Sequence, residues 1–289
     1  MKLLATGGAG QLATALAARG VPTIGRPEFD FARPETLAAA LATHTPELVI
    51  NAAAYTAVDA AESDEAAALQ ANRDGPAELA RLCAARGIGL IHISTDYVFD
   101  GTKPTPYLED DPVAPLGAYG RSKLAGELAV LAACPRALVL RTAWVYAATG
   151  RNFARTMLAA AQRTRHLRVV ADQKGNPTAA TDLAAAILAI AARIAATGWR
   201  DEYRGVFHAA GSGEATWHGF ATAIFAAATQ HGIAPPVIDA IATADWPTQA
   251  RRPANSRLNC DKLARTFHHR LPPWQQTLPQ VIADILRPA

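Results

Sequence analysis

From its first residues the chain alternates short apolar runs with segments of helical length, and that rhythm limits the possible folds more than any other feature. Lys2–Thr6, Val21–Ile24, Glu47–Ala53, Gly89–Ser94 and Ala137–Thr142 read as strands. Between them Gln11–Arg19, Pro34–Thr43, Glu65–Arg86 and Ser122–Ala133 read as helices, the first closed by Gly20 and the third by Gly87. Apolar strands joined by helices cannot pair as hairpins; they call for crossover connections and a parallel, doubly wound α/β sheet with helices on both faces. After Tyr146 the rhythm loosens. Asn152–Arg165 reads as helix, His166–Ala171 as strand, Asp182–Ala196 as a helix capped by Thr181, and Val206–Ala209 as strand. A helix opened by Thr216 and a Pro-rich tail through Trp246-Pro247, Arg252-Pro253 and Pro272-Pro273 follow.

Composition narrows the function classes. Hydrophobic residues make up 50% and charged residues 18%, the balance of a folded chain. The net charge of +3 is spread evenly, and Arg251-Arg252 is the densest basic spot, so no nucleic-acid surface is expected. Three cysteines (Cys83, Cys134, Cys260) without close spacing argue against a disulfide scaffold or a zinc site and suit a reducing compartment. The apolar residues after Lys2 leave no room for a secretory segment before Gly7-Gly8. Leu183–Ala192, bounded by Asp182 and Arg193, is too short to span a bilayer, so the expectation is a cytoplasmic chain with no membrane partner.

Thr6-Gly7-Gly8-Ala9-Gly10-Gln11-Leu12-Ala13 sits where the first strand turns into the first helix. A dinucleotide pyrophosphate needs such a side-chain-free turn, because helix N-terminal amides must approach it closely. Alone the motif is a tight turn; in the first βα unit it points to a Rossmann-type nucleotide lobe, with Gly7 and Gly10 at the phosphates. The second strand ends Ile24-Gly25-Arg26 without the acid that would hold an NAD ribose. Arg26 suits a 2′-phosphate, tilting the expectation to NADPH with NADH possible, or else is a solvated surface arginine. Asp30 and Phe31 follow where an adenine would lie.

Tyr119 and Lys123 stand at i and i+4, on one helix face. A phenol is a poor acid–base group at neutral pH unless a neighbouring cation stabilises its phenolate, and Lys123 can do this. Thr95, at the carboxyl end of an apolar strand, can offer a hydroxyl to a substrate oxygen, while Asp96 beside it either fixes the loop or meets the ligand. His92, in an apolar strand, reads as a core residue, His268-His269 as surface, and Asn72 and Gly75 as shaping the long helix. No cluster has metal-ligand spacing.

The glycine turn, Asn51–Ala54, Ser94–Phe99, Tyr119…Lys123 and Arg141–Tyr146 together resemble the extended short-chain dehydrogenases/reductases. Asn152–Met157, Asp172–Thr178, Thr216–His218 and Arg252–Leu258 sharpen the likeness to the dTDP-4-dehydrorhamnose reductase family, across nearly the whole chain. The resemblance implies a Rossmann-type lobe over residues 1–148, rejoined by parts of 178–212, and a smaller sugar-nucleotide lobe over 149–289. It implies hydride transfer from NADPH or NADH to the C4 ketone of dTDP-4-dehydro-L-rhamnose, giving dTDP-L-rhamnose. Carried over by position, Tyr119 is the proton donor, Lys123 its partner and a ribose ligand, and Thr95 the hydrogen-bond donor to the reacting oxygen. Gly10, Gln11, Leu12, Ala53, Ala54 and Tyr55 line the cofactor; Asp96, Tyr97, Trp144, Asn152 and Arg257 face the sugar nucleotide, although Trp144 could equally be plain packing. Some relatives dimerise through magnesium bound partly by an acid on the first helix. Gln11–Arg19 has none, so magnesium is doubtful and a monomer or weak homodimer is expected. The alternatives are a ketoreductase for another nucleotide-linked deoxysugar and a non-catalytic NADP-binding regulatory subunit.

Overall fold

The computed structural model describes residues 1–287. Its first half runs β1 (Leu3–Thr6), α1 (Gln11–Ala17), β2 (Thr23–Ile24), α2 (Pro34–His44), β3 (Leu48–Asn51), α3 (Glu65–Leu69), α4 (Gly75–Ala85), β4 (Gly89–Thr95), α5 (Ala118–Ala133) and β5 (Ala137–Thr142). The second half runs β6 (Val145–Tyr146), α6 (Phe153–Ala161), β7 (His166–Val170), β8 (Lys174–Gly175), β9 (Thr178–Ala179), α7 (Ala180–Thr197) and β10 (Gly205–His208). It ends with β11 (Ala215–Thr216), α8 (Trp217–Thr229), β12 (Val237–Ile241), α9 (Asp261–Phe267) and α10 (Trp274–Leu286).

The main sheet has the order β10-β5-β4-β3-β1-β2, all parallel. The α/β, doubly wound expectation holds, and the chain reverses its winding between β1 and β3. Register explains the two-sided core. Leu4, Val49 and Leu90 are aligned neighbours on β1, β3 and β4, and all three pack with Leu37, Leu41, Leu79 and Val130 from α2, α4 and α5. Shifted by one residue, Ala5, Ile50, Ile91 and Leu138 point to the opposite face, against Leu16 of α1 and Leu183, Ile187 and Ile190 of α7. A third core, built on Tyr146, Leu158, Val169, Phe220, Ile224, Trp274 and Ile282, belongs to the second half of the chain. The halves interleave: β10 pairs with β5, and α7 packs on α1.

Several local expectations need correction. Helix α7 begins at Ala180 after Ala179, which has no side chain to cap it, so Thr181 lies inside the helix. This helix also runs beyond the Asp182–Ala196 reading, by two residues at its start and one at its end: its 18 residues have a mean hydropathy of 1.5, enough for a bilayer by length and composition. Its Leu183, Ala186, Ile187, Ile190 and Ile194 are instead buried against the sheet. Helix α5 starts at Ala118, not Ser122, because the Glu62 carboxylate accepts from the Ala118 amide (2.8 Å) and so caps the first turn. The tail read as Pro-rich carries α9 and α10.

The long helix over Glu65–Arg86 is broken by a π turn at Gln70–Asp74. The turn carries Asn72, fully buried, whose side chain accepts from the Tyr55 amide (2.8 Å) and donates to the Tyr55 carbonyl (3.0 Å) and to Ser122 of α5 (2.9 Å). One amide thus joins the loop after β3 to the face of α5, a use of π turns common at functional sites. The approach is close: a Cβ on Gly126 of α5 would lie 1.9 Å from the Asn72 carbonyl oxygen. Gly→Ala in an open helix stabilises by about 1 kcal/mol. Here Gly126→Ala is expected to destabilise by about 1–3 kcal/mol through overpacking, read as a lower midpoint in urea unfolding.

Candidate active site

The carboxyl ends of the central strands are tied by buried polar side chains. Thr6 donates to Asn51 Oδ1 (2.7 Å), and Asn51 Nδ2 meets His92 Nδ1 (3.0 Å), linking β1, β3 and β4. His92 is fully buried and held well below the usual imidazole range, first by burial and then by the Lys123 charge, so it is neutral, as a core histidine should be. Above this ladder opens a cleft of about 1780 Å³. Gly7, Gly10, Gln11, Leu12, Arg26, Asp30, Phe31, Ala53, Ala54 and Tyr55 border it along the first two βα units. Thr95, Asp96, Tyr97, Tyr119, Lys123, Trp144 and Asn152 border the rest.

The glycine turn fits a dinucleotide. Gly7 has φ +110°, a conformation L side chains rarely adopt, and a Cβ there would touch the Ala52 carbonyl at 3.0 Å. Gly25, at the end of β2, leaves only 2.7 Å between a notional Cβ and the Cα of Gly8. Three stretches of bare backbone therefore converge where the amides of α1 open into the cleft, with no side chain capping them. Arg26 is exposed at the rim of this region.

Lys123, 2% exposed, donates to the Ile93 carbonyl of β4 (2.7 Å). Burial pulls its ammonium down to about 8, opposed by the Glu127 carboxylate one turn on, so it stays charged at neutral pH. Burial pushes the Tyr119 phenol up to about 12, against a hydrogen bond with Thr95 that lowers it. Thr95 also donates to Asp96 Oδ1 (3.1 Å) and accepts from the Tyr97 amide (3.2 Å). Burial lifts the Asp96 carboxyl to about 6, against the hydroxyls of Ser256 and Thr95. Tyr97 meets Tyr119 edge-on, 5.6 Å between ring centroids. Gly120 permits this closeness, since a Cβ there would lie 2.3 Å from the Tyr97 carbonyl. Thr95 and Tyr119 thus set two hydroxyls side by side, with the Lys123 cation buried one turn along the same helix.

Trp144 has φ +47°, uncommon for a bulky residue. Its indole stacks on Trp217 at 3.4 Å and 6°, over Gly175, whose Cβ would strike the ring at 2.3 Å. Phe153 leans on Trp217 at 4.6 Å, and Gln173 accepts from the Trp217 indole (3.1 Å). These flat walls, with Arg168 and Trp246, line the cleft, although apart from Trp144 their residues carry no site role in the sequence alone. Arg252, in sequence half of a basic pair and the first residue of the Arg252–Leu258 string, also lines the cleft and grips Asp59 with two bonds (3.1 and 2.7 Å), joining the tail to the loop after β3. The strings around Phe153, Gln173, Trp217 and Arg252 hold a signal for these residues, but only packing tells which member of a string faces inward.

Two of the residues assigned to the sugar nucleotide are held by structural bonds. Arg257 is not brought to the cleft: its guanidinium bonds Asn255 Oδ1 (2.8 Å), the Pro104 carbonyl (2.5 Å) and the Glu214 carboxylate, tying loops beside the β8–β11 pair. Asn152 borders the cleft, but as the cap of α6: it accepts from the Arg155 amide (3.1 Å), and its amide group donates to Gln11 (3.0 Å) and the Ala147 carbonyl (2.8 Å).

A family model described as the RmlD substrate binding domain matches residues 1–287. The chain is 46% identical to a dTDP-4-dehydrorhamnose reductase of Sinorhizobium fredii over 291 residues, 99% of this chain and 98% of that one. It is 43% identical to a probable dTDP-4,6-dihydroxy-2-methyloxan-3-one 4-ketoreductase of Streptomyces antibioticus, over 99% and 96% of the two chains. The crystal structure of a dTDP-4-dehydrorhamnose reductase from Bacillus anthracis, in complex with NADP, superposes with a TM-score of 0.89 at 29% identity, covering 98% of this chain and 100% of that one.

Proposed function

This chain belongs to the RmlD substrate binding domain family, and from that premise we propose that it reduces the C4 ketone of dTDP-4-dehydro-L-rhamnose to give dTDP-L-rhamnose. The observation that carries the reading is the convergence of Thr95, Tyr119 and Lys123 at the carboxyl end of β4, inside a cleft whose other arm is a bare glycine cradle. A non-catalytic cofactor-binding subunit has no need of that set.

Gly7, Gly10, Gln11 and Leu12 would hold the cofactor's pyrophosphate, Arg26 its 2′-phosphate, Asp30 and Phe31 the adenine side, and Ala53, Ala54 and Tyr55 the path to the nicotinamide. When bound, NADPH supplies the hydride that adds to the C4 carbon. Thr95 orients the carbonyl oxygen by hydrogen bonding. As negative charge develops there, the Tyr119 phenol delivers its proton, and the O–H bond of the product replaces the phenolic one. Lys123, one turn on from Tyr119 along α5, would supply the counter-charge for the phenolate left behind in a buried site. Trp144, stacked on Trp217, walls the sugar, with Asp96 and Tyr97 at its other side. The work would take place in the cytoplasm, in keeping with free, buried Cys83, Cys134 and Cys260.

The Streptomyces antibioticus relative favours a second reading, a 4-ketoreductase for another nucleotide-linked deoxysugar. NADPH oxidation with dTDP-4-dehydrorhamnose, followed by product identification by NMR, separates the two; no turnover with this ketone but turnover with another overturns the first.

Tyr119→Phe keeps the ring and removes the proton, so binding is expected to survive while kcat falls by about 10²-fold or more. A kcat within a few-fold of wild type would exclude Tyr119 as the acid. Arg26→Ala is expected to raise KM for NADPH and leave that for NADH nearly unchanged, since only NADPH presents a 2′-phosphate; steady-state kinetics with both cofactors checks it. With no carboxylate on α1 to share a metal, EDTA is expected to leave activity and light-scattering mass unchanged.

A further inference from the structure

Directly beneath the Thr95–Tyr119–Lys123 set lies an ion pair of unusual placement. Glu127 is 1% exposed and Arg141 3% exposed. The guanidinium meets the carboxylate through two parallel bonds (2.9 and 2.7 Å), and the Ser94 hydroxyl adds a third contact to Glu127 (2.5 Å). Among the described residues the next most buried pair, Lys103–Asp111, is 29% and 19% exposed, and every remaining pair has a partner at least 44% exposed. Removing two charges from water is costly, and apolar residues of the same volume would hold a helix to a sheet at least as well. The pair's value therefore lies in its charges and in where they sit.

That position is tied to the reacting groups at every point. Glu127 stands one turn beyond Lys123 and two beyond Tyr119 on α5. Ser94 precedes Thr95 on β4 and is aligned with Arg141 on β5, while Ile93, the residue before it, accepts from Lys123. The charged and titratable groups around Lys123 come from each packed element: Tyr119 and Glu127 on α5, His92 on β4, Asp96 in the turn that follows it, and Arg141 on β5. His92 is kept neutral by burial, and the π turn contributes the uncharged Asn72. Asp96 is pushed up to about 6, so it is the group that loses its charge first as pH falls. On the alkaline side Glu127 is the carboxylate that opposes the effect of burial on Lys123.

We propose that Glu127 and Arg141 are positioning residues that set the pH range of the reaction: the carboxylate holds Lys123 as an ammonium in a site that excludes water, and the guanidinium limits that pull. Neither touches substrate or cofactor; both act through Lys123, whose charge in turn makes Tyr119 an effective acid. The inference rests on the ketoreductase reading above.

The sign differs for the two partners. Lys123 is charged below its pKa and loses that charge as pH rises, and burial already pulls this point down to about 8. Glu127→Gln removes the nearest anion, so the alkaline limb of the kcat/KM profile moves to lower pH, by about one unit. Arg141→Met leaves the carboxylate unopposed, so the limb moves to higher pH by a similar amount. Glu127→Gln combined with Arg141→Met returns it near the wild-type position, and the charge-keeping variants Glu127→Asp and Arg141→Lys leave it in place. A purely structural pair would lower turnover at every pH without moving the limb, and that result, or limbs moving the same way in both single variants, overturns the proposal. Because each single variant has its own required direction, either one decides if the other fails to fold. Wild-type protein without turnover on any nucleotide-linked ketosugar sinks the ketoreductase reading; active wild type with unmoved limbs in the variants sinks this proposal alone.

Discussion

The parallel register of β1, β3, β4 and β5 is the constraint on which everything else in this molecule depends. It brings the carboxyl ends of the strands to one side of the sheet and sets Thr6, Asn51 and His92 in line across β1, β3 and β4. Polar side chains bond along that row. Thr6, Asn51 and His92 bond across the strand ends, and the Ala53 amide donates back to Thr6 (3.2 Å). A one-residue slip would turn Thr6 and Asn51 into the face packed by Leu16 and Ile187, and Ile50 into the other. The apolar core and the polar rim therefore specify the same alignment, which is how a sequence reaches a single structure.

Close packing then delivers α5 to that edge. Gly120 lies against the Tyr97 carbonyl and Gly126 against the Asn72 carbonyl, so the helix sits nearer to its neighbours than any residue with a side chain at either position would allow. Closeness removes water from around Tyr119 and Lys123, and removal of water is the first cause of both of their shifts. The phenol rises and the ammonium falls, in opposite directions from one physical effect. Packing and acid–base chemistry are here the same phenomenon.

Opposite α5, the second half of the chain supplies walls rather than reactive groups. Trp144 accepts a left-handed backbone so that its indole lies flat on Trp217, and Gly175 leaves the space under it. Such strain persists only where surrounding contacts over-determine it, and it gathers at ligand-binding surfaces. The Asp59–Arg252 pair spans the cleft from the loop after β3 to the tail, so the two halves meet over the site through a charge-assisted contact as well as through the shared sheet.

Much of this is legible in the residues themselves. The strand and helix alternation, the bare turn at Gly7–Gly10, and the i, i+4 spacing of Tyr119 and Lys123 are local, periodic signals, and each one states its own geometry. The π turn at Gln70–Asp74 is not legible, because Asn72 is an ordinary helix residue until Tyr55 and Ser122 are brought beside it. Arg257 and Arg252 show the same limit from two sides: both are arginines in one short string, yet the first is spent on loop carbonyls and the second lines the cleft. Glu127 reads as part of a helix, and Arg141 as part of a strand and of the Arg141–Tyr146 string, since nothing in their own neighbourhoods along the chain says that they are partners. By itself the sequence determined the layers, the winding and the chemical class of the reacting groups, because those follow from periodicity and residue type. Only the tertiary structure decided which charges are paired, which are buried and which face the ligand, because these depend on distances between segments far apart in the chain, and on the water their packing excludes.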